Sequence, residues 1–270
     1  MKKNVLYPLI LVLCAALVLT AGLSSVFAAD YWNPIQGTTD WVAMDGNEVD
    51  DVPTPAGVVI NDNGLTITYT GGEYTAGGSN SGVMYTKPVD LSNFSIEFTV
   101  TKRADDYNTL GTGCDSWISL CLLNKPDKYF NTKRAGESQG IVTLIRPMGD
   151  KTAFELTELT NSFPNGSRFA YEYPGDKATS FKVEIKKGED GIYDYYVNGV
   201  LADYNDYGGR DFTKAFTRLM ESGNVYLYMG VSSKDSTQEI QWTITKINGE
   251  PVKADATAPT EPKPTETEPT

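Results

Sequence analysis

The 270-residue chain contains no histidine. That absence excludes a Ser-His-Asp triad, a Cys-His nucleophile pair and a histidine-ligated zinc centre. Cysteine is scarce too: there are three, and Cys14 lies in an apolar leader. The other two, Cys114 and Cys121, are seven residues apart. If Trp117 to Leu122 is a strand, their Cα atoms stand roughly 20 Å apart, whereas a disulfide spans about 7 Å at most. Two unbridged thiols are expected, with Cys121 in the core, unless the segment bends. Positive charge is in deficit, with 23 basic residues against 35 acidic ones and a net charge of −12. Such a field repels nucleic acid and anionic membrane. It suits a soluble exported protein, or one that binds cations.

Long apolar stretches are absent except at the N-terminus. Lys2 and Lys3 precede an almost wholly apolar run from Val5 to Ala21, and Ser24 to Ala28 supplies small residues for a cut after Ala28. Residues 1–28 therefore read as a secretory signal peptide. A retained anchor would need roughly 17–25 apolar residues, which the run barely supplies. Leu13 before Cys14 argues against a lipid-modified cysteine. Removing the two lysines leaves 21 basic residues and a net charge of −14. The expectation is a secreted or cell-surface protein with no membrane insertion after cleavage.

Residues 251–270 are set apart as a Thr/Pro/Glu-rich tail. From Ala256 onward nothing in it can fill a core, and its prolines break helix and ladder alike. It reads as an extended spacer toward a wall or a neighbouring module. Its composition resembles linkers in extracellular proteins of Gram-positive gut anaerobes.

Residues 29–250 remain, a length that all-β sandwiches often fold as one domain. Strand signals dominate. Leu65 to Thr70 and Ser95 to Thr101 alternate strictly, and Phe181, Val183 and Ile185 alternate with Lys182, Glu184 and Lys186. Trp117 to Leu123 is nearly continuous apolar, as a central strand covered on both faces should be. Gly188 to Gly191 is a turn, and Asn198-Gly199 is a two-residue hairpin signal before Val200-Leu201. One helix is expected, capped by Asp211, with Phe212, Phe216, Leu219 and Met220 as its apolar stripe and Gly223 at its end. Many short strands and one short helix predict an all-β, two-sheet antiparallel sandwich.

The order Phe181-Lys-Val-Glu-Ile, Ile192-Tyr-Asp-Tyr-Tyr-Val-Asn-Gly-Val, Val225-Tyr-Leu-Tyr-Met-Gly-Val and Ile240-Gln-Trp-Thr-Ile resembles the concanavalin A-like lectin/glucanase (laminin-G-like) jelly rolls. Val89 to Phe98 resembles their entry into the first long strand. The resemblance spans roughly residues 32–249. It implies a jelly-roll sandwich and an extracellular carbohydrate-binding module for a polysaccharide or glycan. It also leaves two alternatives, a glycoside hydrolase of the same fold and a protein-binding adhesin.

Four sets of residues are candidates for the site. Glycosidases need two convergent carboxyls. One laminarinase-like family carries Glu-x-Asp-x-Glu on a single strand, and this chain lacks that motif. Glu155 and Glu158 come nearest, but they are three apart, so they share a face only if a bulge intervenes. A platform of tyrosines is the better candidate. Tyr226 and Tyr228 alternate with Leu227 and Met229, and Tyr193 and Tyr195 share a face, offering rings on which a sugar can stack. Trp117 could stack likewise, Trp242 reads as core, and Trp41 is unassigned in an irregular stretch. Finally, Asp203, Asn205 and Asp206, followed by Gly208 and Gly209, form an oxygen-rich loop of the kind that holds Ca2+. An ordinary surface turn is the alternative.

Overall fold

The computed structural model describes residues 32–45, 56–69, 79–102, 116–125, 139–148, 151–159, 168–173, 178–202, 205–206, 212–233 and 240–255. The leader, Asp211, Cys114, Asp203 and the tail beyond position 255 lie outside them. Two antiparallel sheets face each other. The larger has nine strands in the order β1 (Trp32–Pro34), β2 (Trp41–Asp45), β5 (Ser79–Tyr85), β15 (Tyr226–Ser233), β7 (Ser116–Leu123), β8 (Gly140–Met148), β9 (Lys151–Leu159), β10 (Arg168–Tyr173) and β14 (Asn205–Asp206). The other runs β13 (Val200–Leu201), β12 (Tyr193–Val197), β11 (Ser180–Lys187), β6 (Asn93–Lys102), β16 (Ile240–Ile247), β4 (Gly64–Tyr69) and β3 (Ala56–Asn61), with β17 (Glu250–Pro251) paired to β16. The chain crosses repeatedly from one sheet to the other, for example from β4 to β5, β5 to β6 and β6 to β7. This is the two-sheet antiparallel sandwich that the strand pattern predicts, with the jelly-roll arrangement that the resemblance implies.

The alternation explains the core. Phe181, Val183 and Ile185 of β11 are buried, as are Phe94, Ile96 and Phe98 of β6 and Trp242 and Ile244 of β16. They meet Ile118, Leu120, Leu122, Phe154 and Leu227 from the facing sheet. Phe181 lies 5.6 Å, centroid to centroid, from Phe154 across the sandwich. The helix, α1 (Phe212–Glu221), lays Ala215, Phe216 and Leu219 onto the core and rests on β8 and β12. Among the described residues no helix is long and apolar enough to cross a membrane.

The near-continuous apolar character of β7 has the predicted cause. Its alternate residues Cys121 and Leu123 join Met84, Val142, Leu144 and Tyr228 in a second buried cluster on the outer face of the nine-stranded sheet. Cys121 is a fully buried thiol in that outer cluster rather than between the sheets.

The sandwich also continues past position 250. Asn248 and Gly249 have φ of 50° and 82°, a left-handed pair that suits Asn-Gly in a two-residue hairpin. It folds Glu250 and Pro251 back onto β16 and buries Val252. This corrects a tail boundary at 251. The same Asn-Gly signal that marks β12–β13, where Asn198 and Gly199 have φ of 50° and 77°, is present here.

Candidate functional site

The tyrosine platform is not assembled. Tyr193 and Tyr195 point between the sheets and are 5% and 2% exposed. Tyr193 packs 5.8 Å from the Phe216 ring. The Tyr195 hydroxyl bonds to Thr143 Oγ1 across the sandwich at 3.3 Å. Neither ring can meet a ligand. Tyr226 and Tyr228 do alternate with core residues, but the outer face they occupy is itself packed. Tyr228 is 2% exposed and Tyr226 is half-buried. Trp117 occupies β7 opposite Ser232 of β15.

Glu155 and Glu158 are not brought together. The β8–β9 register runs unbroken from Gly140↔Leu159 to Met148↔Lys151, so no bulge turns the two positions to one face. Glu158 instead accepts two hydrogen bonds from Arg218 of α1, Nε to Oε1 at 2.8 Å and Nη2 to Oε2 at 2.6 Å. A carboxylate held in this fork ties the helix to the sheet. Arg218→Ala leaves Glu158 nearly buried without its cation. It should lower stability by about 1–3 kcal/mol, read as a fall in the thermal midpoint, whereas Arg218→Ala combined with Glu158→Gln should cost less.

Of the candidate calcium loop, Asp203, Gly208 and Gly209 lie outside the described residues. Asn205 and Asp206 form β14, whose backbone pairs with Ala170 and Phe169 of β10. Among the described residues no three acidic or cysteine side chains converge as a metal-holding set.

An open site lies elsewhere, where the ends of β2 and β5 approach the β16–β17 hairpin. A groove of about 550 Å³ is lined there by residues including Thr38, Asp40, Tyr85, Asp62, Glu250 and Asp255. Local chain geometry builds it. Thr38 Oγ1 accepts the Asp40 N–H at 3.1 Å, turning the β1–β2 connection. The Asp40 carbonyl then accepts Thr86 N–H at 2.9 Å, which fixes that turn against the end of β5. The opposite wall is a strap. Asp255 N donates to Gly37 O at 2.7 Å and Ala254 N to Asn61 O at 3.3 Å. This short segment ties the β1–β2 connection to the end of β3.

On this frame the Tyr85 ring is half-buried at the rim, tilted 51° on the fully buried Trp41 at 5.0 Å between centroids. Lys87 Nζ pairs with Asp40 Oδ2 at 2.8 Å and lies 5.9 Å from the Tyr85 centroid. Burial raises the Tyr85 phenol above the ordinary 10.0, with Lys87 opposing, so it stays neutral at physiological pH. The bond to Asp40 raises Lys87, which keeps it cationic. The groove thus offers one supported aromatic face, threonine hydroxyls, several carboxylates and the Lys253 side chain, with the Lys87–Asp40 ion pair beside it. Sequence reasoning left Trp41 unassigned and did not select Tyr85. Its parts come from positions 38–41, 62, 85 and 250–255, which only the fold unites.

No protein-family model matches the sequence, and no curated protein does. Solved structures that resemble the fold include a legume lectin-like domain from Entamoeba histolytica, 13% identical, covering 70% of this chain and 84% of that one, at a TM-score of 0.46. The carbohydrate recognition domain of Emp47p is 12% identical, covering 83% and 96%, at 0.41. The laminarinase from Rhodothermus marinus is 9% identical, covering 79% and 96%, at 0.40.

Proposed function

We propose that this chain is an extracellular carbohydrate-binding module whose glycan lies in the groove at Tyr85. The observation that carries the reading is a half-exposed ring, stiffened from below by Trp41, at the rim of a groove of about 550 Å³ rich in hydroxyls and carboxylates. A pyranose has a flat C–H face that covers an aromatic ring, and a girdle of hydroxyls that need acceptors and donors. Asp40, Asp62 and Asp255 supply acceptors, Thr38 and Thr39 supply both, and Lys253 supplies a donor. Export through the leader at 1–28 and display on the spacer at 256–270 complete the reading. Catalysis by Glu155 and Glu158 has no geometric support, because Arg218 occupies Glu158.

The test is depletion of the purified protein by a panel of insoluble polysaccharides, beside Tyr85→Ala. The variant should retain its thermal midpoint to within a few degrees and bind at least about tenfold more weakly, the cost of truncating an interface anchor by about 1.4 kcal/mol. Unchanged binding by Tyr85→Ala moves the ligand away from this groove. Depletion by no polysaccharide, with capture by a deglycosylated protein ligand, favours the adhesin reading instead.

A further inference from the structure

A sheet edge that is left open is a template for another strand, and proteins usually blunt such edges by shortness, charge or proline. Three of the four edges here are blunted. β13 and β14 have two residues each, and β1 has three, ending in Pro34. The fourth is not. β3 is six residues long with the sequence Ala-Gly-Val-Val-Ile-Asn, and it carries no charge and no proline. Among the described residues it is the last strand of its sheet, paired through its whole length to β4 on one side only. Alternate residues of such a strand aim N–H and C=O groups away from the sheet. Among the described residues only the Asn61 carbonyl meets another segment, the Ala254 N–H. Val59, at its middle, is 58% exposed, the most exposed large apolar side chain among the described residues. Val58 and Ile60, on the other face, already pack against the core.

We infer that β3 is a self-association edge, on which a second copy of this chain lays its own β3 antiparallel about a twofold axis near Val59. Charge and symmetry point to a second copy. The chain as a whole carries −12, so any approach of two copies is repelled except where the contact is neutral. β3 is such a contact. In an antiparallel pair centred on Val59, the two Asp62 carboxylates fall at opposite ends of the ladder, about 20 Å apart at about 3.3 Å per residue. That exceeds the Debye length of about 8 Å at physiological salt. Val59 then faces its own counterpart, a close cross-strand pair of β-branched side chains. The partly buried Val58 and Ile60 of both copies extend the two cores toward each other. An interface of this kind is isologous and closes at two, so it makes a dimer rather than a fibre. It is independent of the sugar reading, although a dimer would carry two grooves on one particle.

Sedimentation velocity of the full-length gene product, recovered after export, tests the inference across a concentration series. The wild type should pass from monomer to dimer. Val59→Lys and Val59→Glu, each placing like charges face to face, should associate at least about tenfold more weakly. Each should keep the wild-type circular dichroism, because the side chain changed lies mostly in water. An equimolar mixture of the two variants should regain the dimer. A wild type that stays monomeric throughout, a Val59→Lys that dimerises as tightly as wild type, or a mixture that stays monomeric overturns the proposal.

Discussion

Gly230→Ala lowers the melting temperature of the protein by about 2–12 °C. That is the expected result for about 1–3 kcal/mol of overpacking in a domain of this size, where each kcal/mol moves the midpoint by about 2–4 °C. The cause is space, not backbone conformation. Gly230 of β15 pairs with Gly82 of β5 on one side and Ser119 of β7 on the other. The two facing glycines leave a trough on the outer face of the nine-stranded sheet, and the Tyr228 ring lies down in it. A Cβ built on Gly230 runs into the ring and hydroxyl of Tyr228, and one built on Gly82 stands 2.5 Å from the same hydroxyl and from the Met229 carbonyl. The ring has no room to retreat, since Met84 and Cys121 pair with Tyr228 in the same buried cluster.

The partner variant decides whether the ring is the cause. Glycine inside a strand ordinarily costs roughly 0.5–1 kcal/mol relative to alanine. In a Tyr228→Leu background, where the long planar side chain is gone, Gly230→Ala should therefore become neutral or stabilising. Thermal unfolding of the four members of the cycle measures the coupling. An equal loss in both backgrounds would show that the backbone, not the ring, resists the methyl group.

The trough shows what strand periodicity carries and what it omits. Alternation correctly placed Leu227 and Met229 on one face and Tyr226 and Tyr228 on the other. It could not reveal that the second face is also covered, because Met84, Cys121, Val142 and Leu144 come from three other strands. Only the pairing brings them beside Tyr228. For β12 the signal was present in the sequence. Val197 shares parity with Tyr193 and Tyr195, while Asp194 takes the opposite face, and that pattern alone directs both tyrosines inward. The groove is the opposite case. Trp41 and Tyr85 are 44 positions apart, and the strap from Val252 to Asp255 is farther still, so no local pattern could join them. What was legible about that wall was its beginning, the Asn248-Gly249 hairpin turn.

Raising the pH above 10 should unfold the sandwich cooperatively, and the same buried tyrosines are the reason. Burial pushes the Tyr195 phenol far above its ordinary 10.0, with the Thr143 hydroxyl opposing weakly. Burial does the same for Tyr228, reinforced by any negative charge on Cys121, and it pushes the Cys121 thiol well above 9.0. All three groups are held neutral in the fold and ionise freely once the chain unfolds. A folded pKa above the unfolded one gives stability that is complete below the unfolded value and drains away as the pH rises toward the folded value. The loss begins near pH 9 for the thiol and near pH 10 for the phenols. Each group then withdraws more than about 1 kcal/mol per pH unit. Against a total of about 5–15 kcal/mol, three such groups place the transition within about two units above pH 10. Tyrosinate absorbance should show a fraction of the tyrosines ionising only as the circular dichroism collapses. Cys121→Ala and Tyr195→Phe should each move that collapse to higher pH relative to their own neutral stability, since each removes one ionisable group. Smooth titration of every tyrosine near pH 10 with the fold intact would place Tyr195 and Tyr228 in water after all.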